Sequence, residues 1–334
     1  MQKKRISYYD NCKFILIILV VVGHFIEQSA QDASTLYRTI FLFIYSFHMP
    51  AFFFLSGLFD SPRTDLSRRV NKGVYYLSLY VLLKCVITVI KFAFTGTLSF
   101  DLFKEAGIPW FCLALGVFTI LTGVLRRAGV NLKVLMIINI LLACFVGIDK
   151  SIGDYLCISR IIYFYPYYLL GTAVTRDGME SALKNRFLRA AGYAVLGGYL
   201  AVCYVYIDRL YSLRALFSGR NAFKDAIMPY GPLVRLACYG ITVLIGFAFL
   251  MIVPRMSLGF LSAFGQRTMQ IYFWHRPILY VLCYLHVHTT VLSFTGGLIL
   301  WMLCGAALTF VLTLKPFGFP VTQLSRWLQQ KKAS

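Results

Sequence analysis

Long apolar runs alternate with short polar breaks along the whole chain. A helix that crosses a bilayer needs about 20 mostly apolar residues. Reading the runs between charged or Gly/Pro breaks gives ten such segments: 11–28, 36–59, 73–94, 109–125, 132–148, 158–175, 189–207, 232–252, 268–286 and 290–313. No internal repeat, low-complexity stretch or soluble domain interrupts them. The pattern predicts a single domain over 1–334: an all-α, polytopic integral membrane helical bundle of about ten transmembrane helices. The tail after Pro320, with Val321, Leu324, Trp327 and Leu328 among polar residues, reads as a short amphipathic helix on the inner surface.

Charge orients the bundle. With the N-terminus inside, the inward segments carry Lys3, Lys4 and Arg5, then Arg63, Arg68, Arg69 and Lys72, and later clusters as far as Lys331 and Lys332. Most of the 33 Lys and Arg then face the cytoplasm, as the positive-inside rule requires. A missed span would swap every later loop, so both termini are expected in the cytoplasm. Residues 208–231 depart from the rule, with Arg209, Arg214, Arg220 and Lys224 on the outer side. They read either as bases that meet headgroups or as a loop that meets an anionic or sugar-bearing acceptor.

Composition fixes the solvent. The chain is 59% hydrophobic and 14% charged, against about 25% charged in an ordinary soluble domain. A formal charge of +20 would also fit nucleic acid, but that needs a contiguous basic face on a folded domain. Here the bases lie in short clusters between apolar runs, so membrane lipids are the expected partner and nucleic acid is not. The nine cysteines form no CxxC pair, and most lie inside apolar runs as packing residues. The first run follows basic residues as a signal peptide would, but it contains Lys13 and His24 and has no small-residue cleavage site. The chain is expected as a multi-pass protein of the cytoplasmic membrane.

Ionisable side chains inside spans are expensive and mark candidate chemistry. In the first span Asp10, Lys13, Ile17, Val21 and His24 fall on one helical stripe. Lys13 and His24 share a face and are separated by a rise of about 16 Å. His48 stands just before Pro50 in the second span, and His275 before Arg276 and Pro277 in the ninth. Arg276 requires a partner or water. Histidine titrates near neutrality and suits general-base work on a hydroxyl. His24 could instead bond across helices, and His48 could brace the proline kink. The three histidines do not make a convincing metal site, so no metal is expected. Neither a GxSxG elbow nor a P-loop is present. A transporter or flippase for a sugar, lipid or small acid is the competing class, although the two related halves common in transporters are not visible.

The residues also resemble a known family. Arg5 to Lys13 (Arg-Ile-Ser-Tyr-Tyr-Asp-Asn-Cys-Lys), followed by Val20-Val21-Val22-Gly23-His24, is similar to the first helix of the membrane-bound acyltransferase-3 family. Phe47-His48-Met49-Pro50 through Phe53-Phe54-Leu55-Ser56-Gly57 is similar to its second helix. Tyr165-Pro166-Tyr167-Tyr168-Leu169-Leu170-Gly171 resembles its FF-x-x-F-x-x-G helix, and Gly265 to His275 its late G-x-x-S-x-x-I-Y-x-x-H element, with Thr268 in place of serine. The Asp-Asn-x-Lys variant resembles the fucose-acetylase-like and surface-polysaccharide O-acetyltransferase branch. The resemblance implies a ten-helix bundle that moves an acyl group, usually acetyl from acetyl-CoA, onto a hydroxyl of a cell-envelope glycan. It implies His24 as the essential histidine, acting as general base or acyl carrier, with Arg5 and Asp10 matching the polar residues before it and Asp10 a catalytic candidate. His48 and His275, from their place in the spans, are further catalytic candidates that could orient or stabilise the thioester oxyanion. Arg5, Lys13, Arg68, Arg69 and Lys72 become candidates for the acetyl-CoA phosphates, although the family spaces two arginines apart where Arg68 and Arg69 are adjacent.

Overall fold

The structure, a computed structural model, describes residues 7–28, 34–104, 107–149, 152, 155–220, 222–223 and 225–330. Among these the architecture is helical, with one isolated bridge between Lys104 and Tyr155. Hydrocarbon offers no partner for backbone polar groups, so a helix, which bonds its own N–H and C=O groups, is the economical way across.

The helices are α1 (Ser7–Gln28), α2 (Thr35–Tyr45), α3 (His48–Leu58), α4 (Leu66–Thr95), α5 (Trp110–Arg127), α6 (Leu132–Phe145), α7 (Ile158–Ala173), α8 (Arg176–Lys184) and α9 (Arg186–Val205). They continue as α10 (Ile207–Leu210), α11 (Arg214–Phe217), α12 (Gly231–Ile252), α13 (Phe260–Phe264), α14 (Thr268–Tyr284), α15 (Val287–Leu292), α16 (Gly297–Val311) and α17 (Val321–Gln330). Each of the ten expected segments holds a helix. Among the described residues six stretches are long and apolar enough to cross a membrane: α1, α2 with α3, α4, α5, α9 and Ile227–Ile252. α6 and α16, at 14 and 15 residues, rise only about 21–23 Å at 1.5 Å per residue.

Three details differ from the sequence reading. The tenth segment, expected over 290–313, is helical as α16 from Gly297, after the end of α15 and a turn. α4 begins at Leu66 rather than at 73, because Gly73, at the head of the apolar run, stays helical and lies against Ile120 and Gly116 O rather than breaking the helix. The second span is two helices, since Ser46 and Phe47 form a turn between α2 and α3. Pro50 therefore sits in the first turn of α3, where a missing N–H costs nothing, and the first bond of that helix runs from Ala51 N–H to Phe47 O.

The chain forms two compact units, one of Met1–Ile44, Cys85–Ser99 and Ile252–Ser334, the other of Tyr45–Lys84 and Phe100–Met251. In the first, α1 is the central element. Asn11 donates to Pro254 O and Met256 O and accepts from the Ser262 hydroxyl, which fastens the segment before α13 to α1. Gly265 lies against the α1 backbone at Asp10, where a Cβ would collide with the Asp10 carbonyl. Trp301 of α16 donates to Phe25 O at 2.9 Å and packs on the Phe25 ring. Arg267 and Gln270 at the start of α14 donate to the carbonyls of Thr313 and Leu312 beyond α16.

In the second unit α3 crosses α7 through paired glycines. A Cβ on Gly57 would strike Tyr168 O, and one on Gly171 would strike Phe54 O. The close approach lets the Phe53 ring reach Phe111, Phe118, Phe164 and Trp110. Cations within the apolar runs reach carbonyls or ring faces. Lys84 donates to Lys104 O at 2.7 Å. The fully buried Arg235 donates to Ala143 O and lies over the Phe223 ring. Gly171→Val is expected to lower stability by about 3 kcal/mol through overpacking. Gly197→Ala, where a Cβ meets open space, is expected to change it little. Thermal unfolding of the two variants in detergent checks the difference.

Candidate functional site

The chemistry of the first unit gathers on α1 and α14. The expected stripe on α1 is present: Asp10, Ile17 and Val21 are buried, and Lys13 and His24 are partly so. Asp10 Oδ1 lies 3.8 Å from Lys13 Nζ, one turn along the helix. Arg5 lies outside the described residues.

His24 Nδ1 lies 2.9 Å from Glu27 Oε2. Residues three apart on a helix are neighbours, so this pair is made within α1. From α14, Arg276 Nη1 donates to the same Glu27 Oε2 at 2.9 Å and stands 3.3 Å from His24 Nδ1. Carboxylate oxygens only accept, so the nearer contact places the Nδ1 proton on His24, directed at Glu27. That tautomer leaves the lone pair on Nε2. A carboxylate behind a histidine fixes ring orientation and stabilises the imidazolium that forms when Nε2 takes a proton. Arg276, for which the sequence demanded a partner, has one in Glu27. Its guanidinium also lies over the Tyr280 ring, one turn further along α14, as does Lys91 of α4.

α14 runs unbroken through Pro277. It presents His275, fully buried, with its ring centroid 5.4 Å from that of His24 and the two rings inclined at 29°. His275 Nδ1 lies 2.7 Å from Tyr272 O and 3.2 Å from Ile271 O. The structure thus brings together His24, His275 and Arg276, and adds Glu27, which sequence reasoning missed. The available signal was the spacing His24-x-x-Glu27, which puts the carboxylate beside the histidine.

The second unit holds the other candidates. His48 opens α3, is buried and meets the Tyr45 ring edge-on at 4.9 Å. Arg68 and Lys72 are exposed on the first turns of α4. Arg69 is buried. It donates to Asp60 Oδ2 at 2.8 Å, to Ser61 O at 2.7 Å and to Thr64 O at 3.1 Å. Arg126 of α5 lies 3.8 Å from the same Asp60 carboxylate. Burial pushes the Asp60 carboxyl up from its ordinary value, against the pull of Arg69, Arg126 and Lys72. Arg69 therefore ties the segment between α3 and α4 to the bundle, while its neighbour Arg68 faces outward. Two apolar grooves also lie in this unit along α7 and α12, lined by residues such as Leu170, Val243 and Phe247. Their walls suit hydrocarbon chains. Among the described residues no group of three His, Cys, Asp or Glu side chains is placed to hold a metal.

Comparison with known proteins gives the family. The Acyltransferase domain of the acyltransferase-3 family matches residues 6–314, and the chain belongs to that family. It is similar to the nodulation protein NolL of Sinorhizobium fredii, at 27% identity over 213 residues, covering 60% of this chain and 56% of the relative. The nodulation protein NolL of Mesorhizobium japonicum is 32% identical over 178 residues, covering 49% of this chain and 46% of the relative. The chain thus spans about half the length of these curated relatives. No solved structure matches it.

The contrast between the two arginines is testable. Asp60→Ala, which leaves the buried Arg69 guanidinium without its carboxylate, is expected to cost about 3–5 kcal/mol. Asp60→Asn, which keeps an oxygen for Arg69, is expected to cost less. Arg68→Ala is expected to leave the melting temperature in detergent unchanged.

Proposed function

We propose that the chain is an integral membrane O-acyltransferase that moves an acetyl group from acetyl-CoA to a hydroxyl of a cell-envelope or exopolysaccharide sugar. The observation that carries the reading is the His24–Glu27–Arg276 cluster, a carboxylate-backed histidine with a cation beside it, in a chain of the acyltransferase family. Ten crossings with both ends in the cytoplasm accompany this proposal, since that arrangement places most basic residues on the side where acetyl-CoA is made.

In this mechanism Nε2 of His24 takes the proton of the acceptor hydroxyl as its oxygen attacks the thioester carbonyl. Glu27 stabilises the imidazolium through Nδ1–H. The tetrahedral oxygen acquires negative charge, and Arg276 is the cation beside His24 that can offset it. Collapse breaks the C–S bond, the acetyl group stays on the sugar oxygen, and the CoA thiolate receives the proton from His24. Asp10 sets the position of Lys13 at the start of α1. Lys13, Arg68 and Lys72 are side chains that can pair with phosphate oxygens of the donor.

The test uses membranes supplied with radiolabelled acetyl-CoA, with label in the glycan fraction as the readout. His24→Ala is expected to abolish transfer while the protein inserts and folds. Glu27→Gln, which removes the charge behind the histidine, is expected to lower turnover by about 10²-fold or more. Normal transfer by His24→Ala would refute the assignment, and a wild-type protein that moves a solute without transferring acetyl would place the chain among transporters.

A further inference from the structure

His275 has a hydrogen-bonding arrangement unlike that of His24. Its Nδ1 faces two backbone carbonyl oxygens, Tyr272 O at 2.7 Å and Ile271 O at 3.2 Å. Carbonyl oxygens only accept, so Nδ1 must carry the ring proton. The opposite tautomer would set a lone pair against two others and bury an N–H as well. Nε2 is therefore a lone pair held in place by the fold. It is fully buried and has no hydrogen-bond partner among the described residues.

A buried acceptor that makes no bond costs free energy, and buried polar groups are almost always satisfied. If the ring served only to pack, phenylalanine would fill the place without that cost. The orphaned atom lies within the cluster already described, on a ring 5.4 Å from the His24 ring. Its chemistry is also restricted. To donate from Nε2, the ring would have to become a cation next to Arg276, where Glu27 is already shared between Arg276 and His24. Attack by Nε2 on the thioester would likewise leave a positively charged acyl-imidazolium there. Neither fits the local charge, whereas accepting a hydrogen bond leaves the ring neutral throughout.

We propose that Nε2 of His275 accepts a hydrogen bond from an O–H or N–H of bound substrate and so positions the reacting group beside His24. The proposal rests on the acyl-transfer reading. Two sources supply such a donor: a second hydroxyl of the acceptor sugar, or an amide N–H of the pantetheine arm of acetyl-CoA. The role differs from the oxyanion-stabilising one open to a protonated histidine.

The experiment compares full-length wild-type protein, His275→Phe and His275→Gln in liposomes. It measures binding of radiolabelled acetyl-CoA and transfer of label to a glycan fraction from cells lacking the chain. His275→Phe is expected to fold and to lose at least tenfold in transfer. His275→Gln, whose side-chain oxygen accepts, is expected to recover part of it, which a purely structural role would not give. Unchanged acetyl-CoA affinity with lowered transfer assigns the donor to the acceptor hydroxyl. A tenfold weaker affinity assigns it to the pantetheine amide.

Transfer and affinity within twofold of wild type in His275→Phe would overturn the proposal, as would acetyl label bound covalently to His275. A further arm does not depend on either variant's activity. With ¹⁵N-histidine label in a chain of five histidines, the wild-type His275 signal is expected to show a proton on Nδ1 and none on Nε2. Its Nε2 resonance should move when substrates are added. A proton on Nε2 overturns the proposal. If the wild-type protein neither binds acetyl-CoA nor transfers label, the acyl-transfer reading itself fails. Retained transfer by His275→Phe removes the role of His275 alone.

Discussion

Glu27 receives hydrogen bonds from His24 and from Arg276 through one carboxylate oxygen, and the chemistry of the first unit depends on that shared atom. Arg276 lies within an apolar helix, where an isolated cation is costly. In the proposed chemistry His24 needs its Nδ1 proton held so that Nε2 keeps a lone pair. One carboxylate at the end of α1 meets both needs, and in doing so links the first helix to α14 across most of the chain length. The Glu27 anion offsets the Arg276 cation, and His24 stands against the same carboxylate.

Close backbone packing supports this arrangement. Gly265 allows the segment before α14 to lie on α1 at Asp10, and Gly305 makes room for the Phe25 ring one residue beyond His24. Asn11, Trp301, Arg267 and Gln270 then use side-chain hydrogen bonds on backbone carbonyls to hold α1, α14 and α16 in register. Without such contacts apolar helices would have little to fix their mutual rotation, because lipid tails solvate apolar surface as well as other helices do. The same device serves the second unit, where Gly57 and Gly171 let α3 and α7 meet backbone to backbone.

Much of this was legible in the sequence. The apolar runs marked every main helix, and the cost of burying charge pointed to His24, His275 and Arg276. What was not legible depended on contacts between distant segments. Glu27 lies near the end of its apolar run, and nothing in the sequence sets it beside Arg276, 249 residues away. Arg68 and Arg69 read as an equivalent pair, but successive residues on a helix point about 100° apart. One faces outward and the other is consumed by Asp60. The second span reads as one kinked helix because a proline pattern alone does not tell a kink from a fresh helix start.

In the proposed mechanism His24 performs acyl transfer onto an envelope sugar. The most direct measurement is the O-acetyl content of surface polysaccharide, by proton NMR, in cells carrying the wild-type chain, the His24→Ala chain or no chain. An acetyl signal that appears with the wild type and is missing from the other two is the expected result. Equal signals in all three, with both proteins present in the membrane, would contradict the account.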